Sequence, residues 1–246
     1  KAPWKVWGNS VGSLDWRTDL QNLPPATEPR WPSSGYGLMT EEDWSAYRME
    51  RNAIFESVRA NRVTGFVSLA GDRHAFTAGL LSATLPPEPF VPVGAEFITG
   101  SISAPGIVES FGHNIARDYP HRAIYYHDTA SGSAATINAA IRHGVKTCIA
   151  LQETGDIGKA LAGRNPDVAP HLSFADLGGH GYSLVTASPS ALDVEFVCLP
   201  RPIERAAGDD GGPVTYRVAH RVLLWSPGDA PRIERRDLEG TPPLLA

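Results

Sequence analysis

Asp72 and His74 stand two residues apart directly after Gly71, in the run TGFVSLAGDRHAF over residues 64–76. A hard carboxylate oxygen and a borderline imidazole nitrogen converging on one point suit a transition metal or a mixed-metal site. The preceding Gly65-Phe66-Val67-Ser68-Leu69-Ala70 is a short, mostly apolar run rich in strand formers, so it predicts a buried strand. Gly71 lets the backbone turn sharply at its end. If extended geometry persists past that turn, the side chains at 72 and 74 point the same way. Open α/β sheets hold ligands beyond the carboxyl ends of their strands. An Asp-x-His triplet also arises by chance, and a Gly-Asp turn after a strand needs no metal. Arg73, between the two, points oppositely on a regular strand and serves either a phosphate group or a structural salt bridge.

The elements around this turn must position it. Residues 41–61, EEDWSAYRMERNAIFESVRAN, predict a helix capped by Thr40, with Asp43 imitating a capping box. Trp44, Tyr47, Ile54, Phe55 and Val58 form its apolar stripe. Residues 96–107, EFITGSISAPGI, predict a strand running into a Ser/Gly/Pro loop, with Glu96 either behind the site or capping its strand.

Taken in order, DWSAYRMER, VSLAGDRHAF and EFITGSISAPG resemble the C-terminal half of the PhoD-like alkaline phosphatases and phosphodiesterases. That family carries a Trp-Asp-Gly-Tyr element with a following Arg, then Ser/Thr-Gly-Asp-x-His-Ser/Ala-Phe, then Glu-Phe-x-x-x-Ser-Ile. The segment 165–185, NPDVAPHLSFADLGGHGYSLV, is similar to the family's Asn-Pro…Phe…His-Gly-Tyr run, and Trp4-Lys5-Val6-Trp7-Gly8-Asn9 to the segment opening this half. The resemblance covers residues 4–200, and an ordered series is far more specific than any single motif. Ser45 and Ala46 depart from the family's Asp and Gly, which removes a carboxylate near the site. The N-terminal motifs that supply the other ligands, an earlier Asp-x-His, Gly-Asp-x-x-Tyr and Gly-Asn-His-Asp, do not occur in this chain.

The resemblance implies an α/β fold, the C-terminal half of a two-sheet αββα metallophosphatase sandwich, with a mixed sheet and antiparallel hairpins. Residues 1–246 then form a single domain or half-domain. It further implies phosphomonoester or phosphodiester hydrolysis with iron and calcium as cofactors, His74 on the iron and Asp72 on the neighbouring calcium. Two cations about 3.5–4 Å apart activate a bound oxygen and steady the attacking and leaving groups of an in-line displacement. The missing donors lie on an N-terminal chain or segment that partners this one. The alternative is a non-catalytic subunit or binding module that kept the fold and lost half of the site.

Composition bounds the reading. The 246 residues are 42% hydrophobic and 20% charged, as in ordinary globular chains. A net charge of −5 without a basic cluster argues against nucleic acid as a partner. No apolar run approaches the roughly 18–20 residues a transmembrane helix needs, and no signal peptide is present. Lys1 in place of Met predicts a product trimmed from a precursor, and 21 prolines suit a secreted or periplasmic protein. Cys148 and Cys198 sit in apolar runs and read as buried free thiols or as a disulfide.

Other candidates carry less. His180 precedes Gly181-Tyr182 and either reaches the site or is a hydrogen-bonded structural histidine. His113, His121 and His127 are spaced too loosely for a metal box and read as loop and surface residues, with His113 the one that could touch the rim. Ser101 and Ser103 lack a nucleophile elbow. Residues 155–159, GDIGK, mimic part of a phosphate loop but read better as a turn.

Elsewhere, residues 18–39 predict a Pro/Ser/Gly-rich functional loop, 78–84 a strand and 131–143 a helix capped by Ser133 and stopped by Gly144. Residues 145–151 predict a buried strand, and 181–187 with 192–199 an antiparallel hairpin. Residues 216–225 read as another strand after a Gly/Asp loop at 207–212, and the tail from Ser226 as a surface wrap.

Overall fold

The computed structural model describes residues 2–24, 35–40, 42–130, 132–205 and 212–246. Its chain begins with strands β1 (Lys5–Gly8), β2 (Arg17–Thr18) and β3 (Gly37–Leu38), then helix α1 (Arg48–Ala60). Strands β4 (Phe66–Ala70), β5 (Phe76–Leu81) and β6 (Gly94–Ile98) follow, then helix α2 (Ile107–Asn114). A small hairpin, β7 (Tyr126–Thr129) and β8 (Gly132–Ala135), leads to helices α3 (Ile137–His143), α4 (Val145–Thr154) and α5 (Ile157–Ala162). Strands β9 (Leu172–Asp176), β10 (His180–Ala187), β11 (Ala191–Leu199), β12 (Tyr216–Leu223) and β13 (Ile233–Gly240) complete it.

Five strands form one mixed sheet in the order β1-β4-β6-β5-β9, with β1, β4 and β6 parallel and β5 antiparallel to both neighbours. The last four strands form an antiparallel meander, β10-β11-β12-β13. Strand alternation explains how the sheets meet, because successive side chains leave opposite faces. Val67, Phe76, Ala78, Phe97 and Phe174 of the mixed sheet share a core with Val194, Phe196, Val218 and Val222 of the meander. The Phe196 ring lies 4.9 Å from Phe76, 5.8 Å from Phe174 and 6.4 Å from Phe97, centroid to centroid. Phe66, Ala75, Leu81 and Ile98 face the other way, into a second core with Leu14, Trp16, Phe55, Ile137, Ile141, Val145 and Cys148. Strands β4, β5, β6 and β9 are thus buried on both faces, while the edge strand β1 is largely exposed.

Several local expectations are corrected. The helix expected over 41–61 begins only at Arg48, and Thr40 does not cap it. Asp43 turns inward instead: its Oδ1 accepts the Ser45 N–H at 2.7 Å and its Oδ2 binds Arg73, which leaves residues 42–47 in turns. Residues 145–151 are not a strand but the first two turns of α4. Val145, Cys148 and Leu151 recur every three residues and bury one helical face. The cap of α4 is remote in sequence, since Asp19 Oδ1 accepts the Val145 N–H at 2.7 Å. The helix expected from 131 starts at Ile137, because Gly132–Ala135 pairs with β7 and Ser133 bonds Asp128 rather than capping; Gly144 does end it, at φ 93°.

The strand expected at 78–84 runs from Phe76 to Leu81. The tail is no loose wrap either, for β13 extends the meander. Arg235 holds it down, its guanidinium 4.8 Å from the Phe174 ring centroid. The hairpin of β10 with β11, the strand β12 and the free buried thiols Cys148 and Cys198 follow expectation. Residues 25–34, in the loop expected at 18–39, and 206–211, which take in most of the loop expected at 207–212, lie outside the described residues, as do Lys1, Glu41 and residue 131. Among the described residues no helix is long and apolar enough to cross a membrane.

Candidate metal centre

The carboxyl ends of β1, β4 and β6 lie at the same edge of the mixed sheet, and the turn at residues 71–74 leaves β4 there. Extended geometry does not persist through it. Asp72 has φ 69° and His74 φ 49°, both left-handed, and the Arg73 N–H donates to the Gly71 carbonyl at 2.8 Å. Each non-glycine residue in that region costs about 1–2 kcal/mol, so the surrounding contacts must hold the turn in place. Backbone curvature rather than strand pleating therefore sets where the two side chains go. Both line a cavity of about 610 Å³ together with Thr40, Glu42, Asp43 and Ile107.

The His74 ring is oriented by backbone. Its Nδ1 lies 2.7 Å from the Pro105 carbonyl oxygen. A carbonyl can only accept, so Nδ1 carries a hydrogen, and in the neutral ring the lone pair is on Nε2. Metal-binding histidines are commonly held this way. Asp72 is exposed, and its carboxylate makes no hydrogen bond or ion pair with any described residue. Among the described residues no three His, Cys, Asp or Glu side chains converge as a metal cluster. The pair thus fits one side of a coordination sphere.

The other expected site residues serve the scaffold. Arg73 is engaged by Asp43: its side chain is 3% exposed, its Nη2 lies 2.5 Å and its Nε 2.7 Å from Asp43 Oδ2, and its guanidinium stacks 4.7 Å from the Trp16 ring centroid, while it also lines the cavity and its Nη1 has no hydrogen-bond partner among the described residues. Asp43 stands two residues before Ser45, so a carboxylate is present in this region but is spent on Arg73. Glu96 is fully buried and anchors residues 13–14 rather than touching Asp72 or His74. It accepts from Ser13 N at 2.8 Å, Ser13 Oγ at 2.7 Å, Leu14 N at 2.7 Å and Ser68 Oγ at 2.8 Å.

His180 is a buried structural histidine. Its Nδ1 is 3.3 Å from Ser101 Oγ, and its Nε2 lies 3.5 Å from Glu109 Oε2, within ion-pair range but without hydrogen-bond alignment. Burial works to raise the Glu109 carboxyl, but the Gly106 N–H and the neighbouring His180 and Arg201 bring it below its ordinary value. His113 is exposed on α2, and His127 bonds Gln152 at 3.1 Å; neither lines the cavity. Asp156 of the GDIGK segment caps α5, accepting the Lys159 N–H at 3.0 Å. Sequence reasoning missed Pro105 and Arg201, the first because its contribution is a backbone oxygen.

A carboxylate and an imidazole lining a cavity beyond parallel strand ends stand where open α/β sheets hold their ligands. The chain belongs to the PhoD-like phosphatase family, whose model matches residues 1–196. A solved structure titled "Structure of PhoD" is similar over 98% of this chain, with a TM-score of 0.56 and 17% sequence identity, a likeness that shows the fold alone. The chain spans 32% of that structure's chain. No curated protein matches it.

Proposed function

We propose that this chain supplies the Asp72–His74 arm of a metal-dependent phosphoesterase. The observation that carries the reading is the hydrogen bond from His74 Nδ1 to the Pro105 carbonyl, which leaves Nε2 as a donor on the same cavity as the unpartnered Asp72 carboxylate. His74 would hold an iron ion and Asp72 a calcium ion. Bound together, the two cations would supply an activated oxygen nucleophile and neutralise charge on the phosphoryl oxygens. The chain's own part is to orient both donors: the left-handed turn points Asp72 into the cavity, and Pro105 keeps the proton off His74 Nε2.

The remaining donors belong, in this reading, to a segment or chain N-terminal to this one. Two observations support it. Strand β1 is an edge of the mixed sheet, with no partner on its outer side among the described residues and Val6 52% exposed. A parallel strand is rarely left uncovered. The structural likeness, moreover, takes in 32% of the solved chain. The chain is then the C-terminal half of an αββα sandwich, acting outside the cell or in the periplasm on phosphate esters.

Elemental analysis and p-nitrophenyl phosphate turnover test this reading on native material and on a His74→Ala variant. Loss of both iron and activity is expected; full turnover by the variant would refute the assignment. A second reading, a non-catalytic subunit, draws on the absence of a three-ligand cluster among the described residues. Native material that retains no iron or calcium, with or without a co-purifying chain, would favour it.

A further inference from the structure

We propose that Arg201 and Glu109 form a clamp that fixes the Pro105 carbonyl and through it the tautomer of His74, making both positioning residues. This inference rests on the reading of His74 as a metal donor. Arg201 follows β11, in the meander, and lies beyond the residues the family model matches. It reaches across to the loop between β6 and α2, where its Nε donates to the Ser103 carbonyl at 2.8 Å. Its Nη1 is 3.3 Å from Glu109 Oε2. That same carboxylate oxygen accepts the Gly106 N–H at 2.8 Å. Pro105 therefore sits between two tethered positions, 103 and 106, both tied to one ion pair.

The rest of the loop is anchored separately. Gly181 N–H donates to the Ser101 carbonyl at 3.0 Å, and Thr99 N–H to the Ala70 carbonyl at 2.9 Å. These contacts keep the loop attached when Arg201 is removed, and within it Ser101 Oγ donates to the Ala104 carbonyl at 2.6 Å while Ser110 holds the Gly106 carbonyl. The clamp adds to these the hold on the Ser103 carbonyl and on the Gly106 N–H, the two groups that flank Pro105 and that no other contact here engages. Proline has no N–H of its own to add a tether, so Pro105 depends on its neighbours for position. An imidazole freed from such an acceptor redistributes its proton between the two nitrogens, and loss of an orienting partner typically weakens a metal site about 10–100-fold.

The test uses Arg201→Met, with Arg201→Lys as the conservative variant. Nitrogen-15 chemical shifts of the His74 ring in metal-free protein report the tautomer, and paramagnetic broadening by manganese(II) alone reports cation affinity. Wild type is expected to show protonated Nδ1. Arg201→Met should shift toward the protonated-Nε2 form and weaken manganese(II) binding about tenfold or more, with the thermal midpoint held within about 2 °C, as befits a partly exposed pair. Arg201→Lys, able to reach one acceptor, should recover part of both signals. A His74 tautomer unchanged in Arg201→Met would overturn the clamp. If that variant fails to fold, Glu109→Gln, which keeps an acceptor for Gly106 N–H, replaces it under the same criteria. Wild type that protonates Nδ1 but never binds manganese(II) at His74 would instead count against the metal reading while leaving the clamp intact.

Discussion

Asp43 and Arg73 face each other as a fully buried ion pair, each side chain 3% exposed and the closest atoms 2.5 Å apart. The pair ties the turn before α1 to the turn that carries Asp72 and His74. Removing one partner of such a pair strands a charge in low dielectric, which costs about 3–5 kcal/mol. Arg73→Met should lose that much in urea denaturation. The double variant Asp43→Asn/Arg73→Met should be more stable than Arg73→Met alone, because no bare charge remains. Equal stability of the single and double variants would mean that the pair is not what holds the turn.

Asp72→Asn separates charge from conformation. Asparagine tolerates the left-handed region nearly as well as aspartate, so φ 69° stays accessible. Stability should stay within about 0.5 kcal/mol of the parent, since the side chain is exposed, while calcium retention should fall about tenfold or more. An unchanged metal content would remove Asp72 from the site.

Three histidines make the fold acid-sensitive. Burial, reinforced by neighbouring arginines, pushes His143 down to about 4 and His220 to about 3. Burial likewise takes His171 to about 4, against the pull of Asp15. Between those values and the unfolded value of 6.5, only the unfolded chain binds the proton. Stability is therefore complete above pH 6.5 and is lost as pH falls toward 4, at up to about 1.4 kcal/mol per pH unit for each fully buried ring. His220 sits among Phe97, Phe174 and Phe196 with neither ring nitrogen hydrogen-bonded. His220→Leu should flatten the pH dependence of the melting temperature without loss at pH 7.5. An unaltered slope would place the acid sensitivity elsewhere.

Glu96 gathers four donors from Ser13, Leu14 and Ser68 in a site closed to water. Glu96→Gln turns one acceptor into a donor facing donors, for about 1–3 kcal/mol. Chemical denaturation measures the loss, and amide exchange at Ser13 and Leu14 should quicken with it. Unchanged exchange there would show that the loop is held by its apolar contacts instead.

What could be read beforehand was whatever the local pattern encodes. The strand of residues 66–70, the hairpin β10–β11 and strand β12 announce themselves by alternation and turn residues. Helix α4 did not, because Val145, Ile149 and neighbouring apolar residues in a short run suit a strand as well, and its cap, Asp19, is 126 positions away. Hairpin β7–β8 and strand β13 were hidden by polar composition. Of the candidate site, the placement of residues 72 and 74 just past a strand's end was legible from the sequence, although the curvature that brings both to one cavity was not. The Pro105 oxygen is a main-chain atom that leaves no side-chain trace. Arg201 meets Ser103 across 98 positions, a pairing that no local window contains.

The left-handed backbone at both Asp72 and His74 sets durability against the proposed capture of a ligand. Glycine would relax either position, so directed evolution of this polypeptide for heat resistance alone should erode the acid and the imidazole first. Libraries meant to harden the molecule should therefore freeze both codons and spend their diversity on the outer face of the meander, at exposed positions of ordinary backbone such as Leu184 and Leu223.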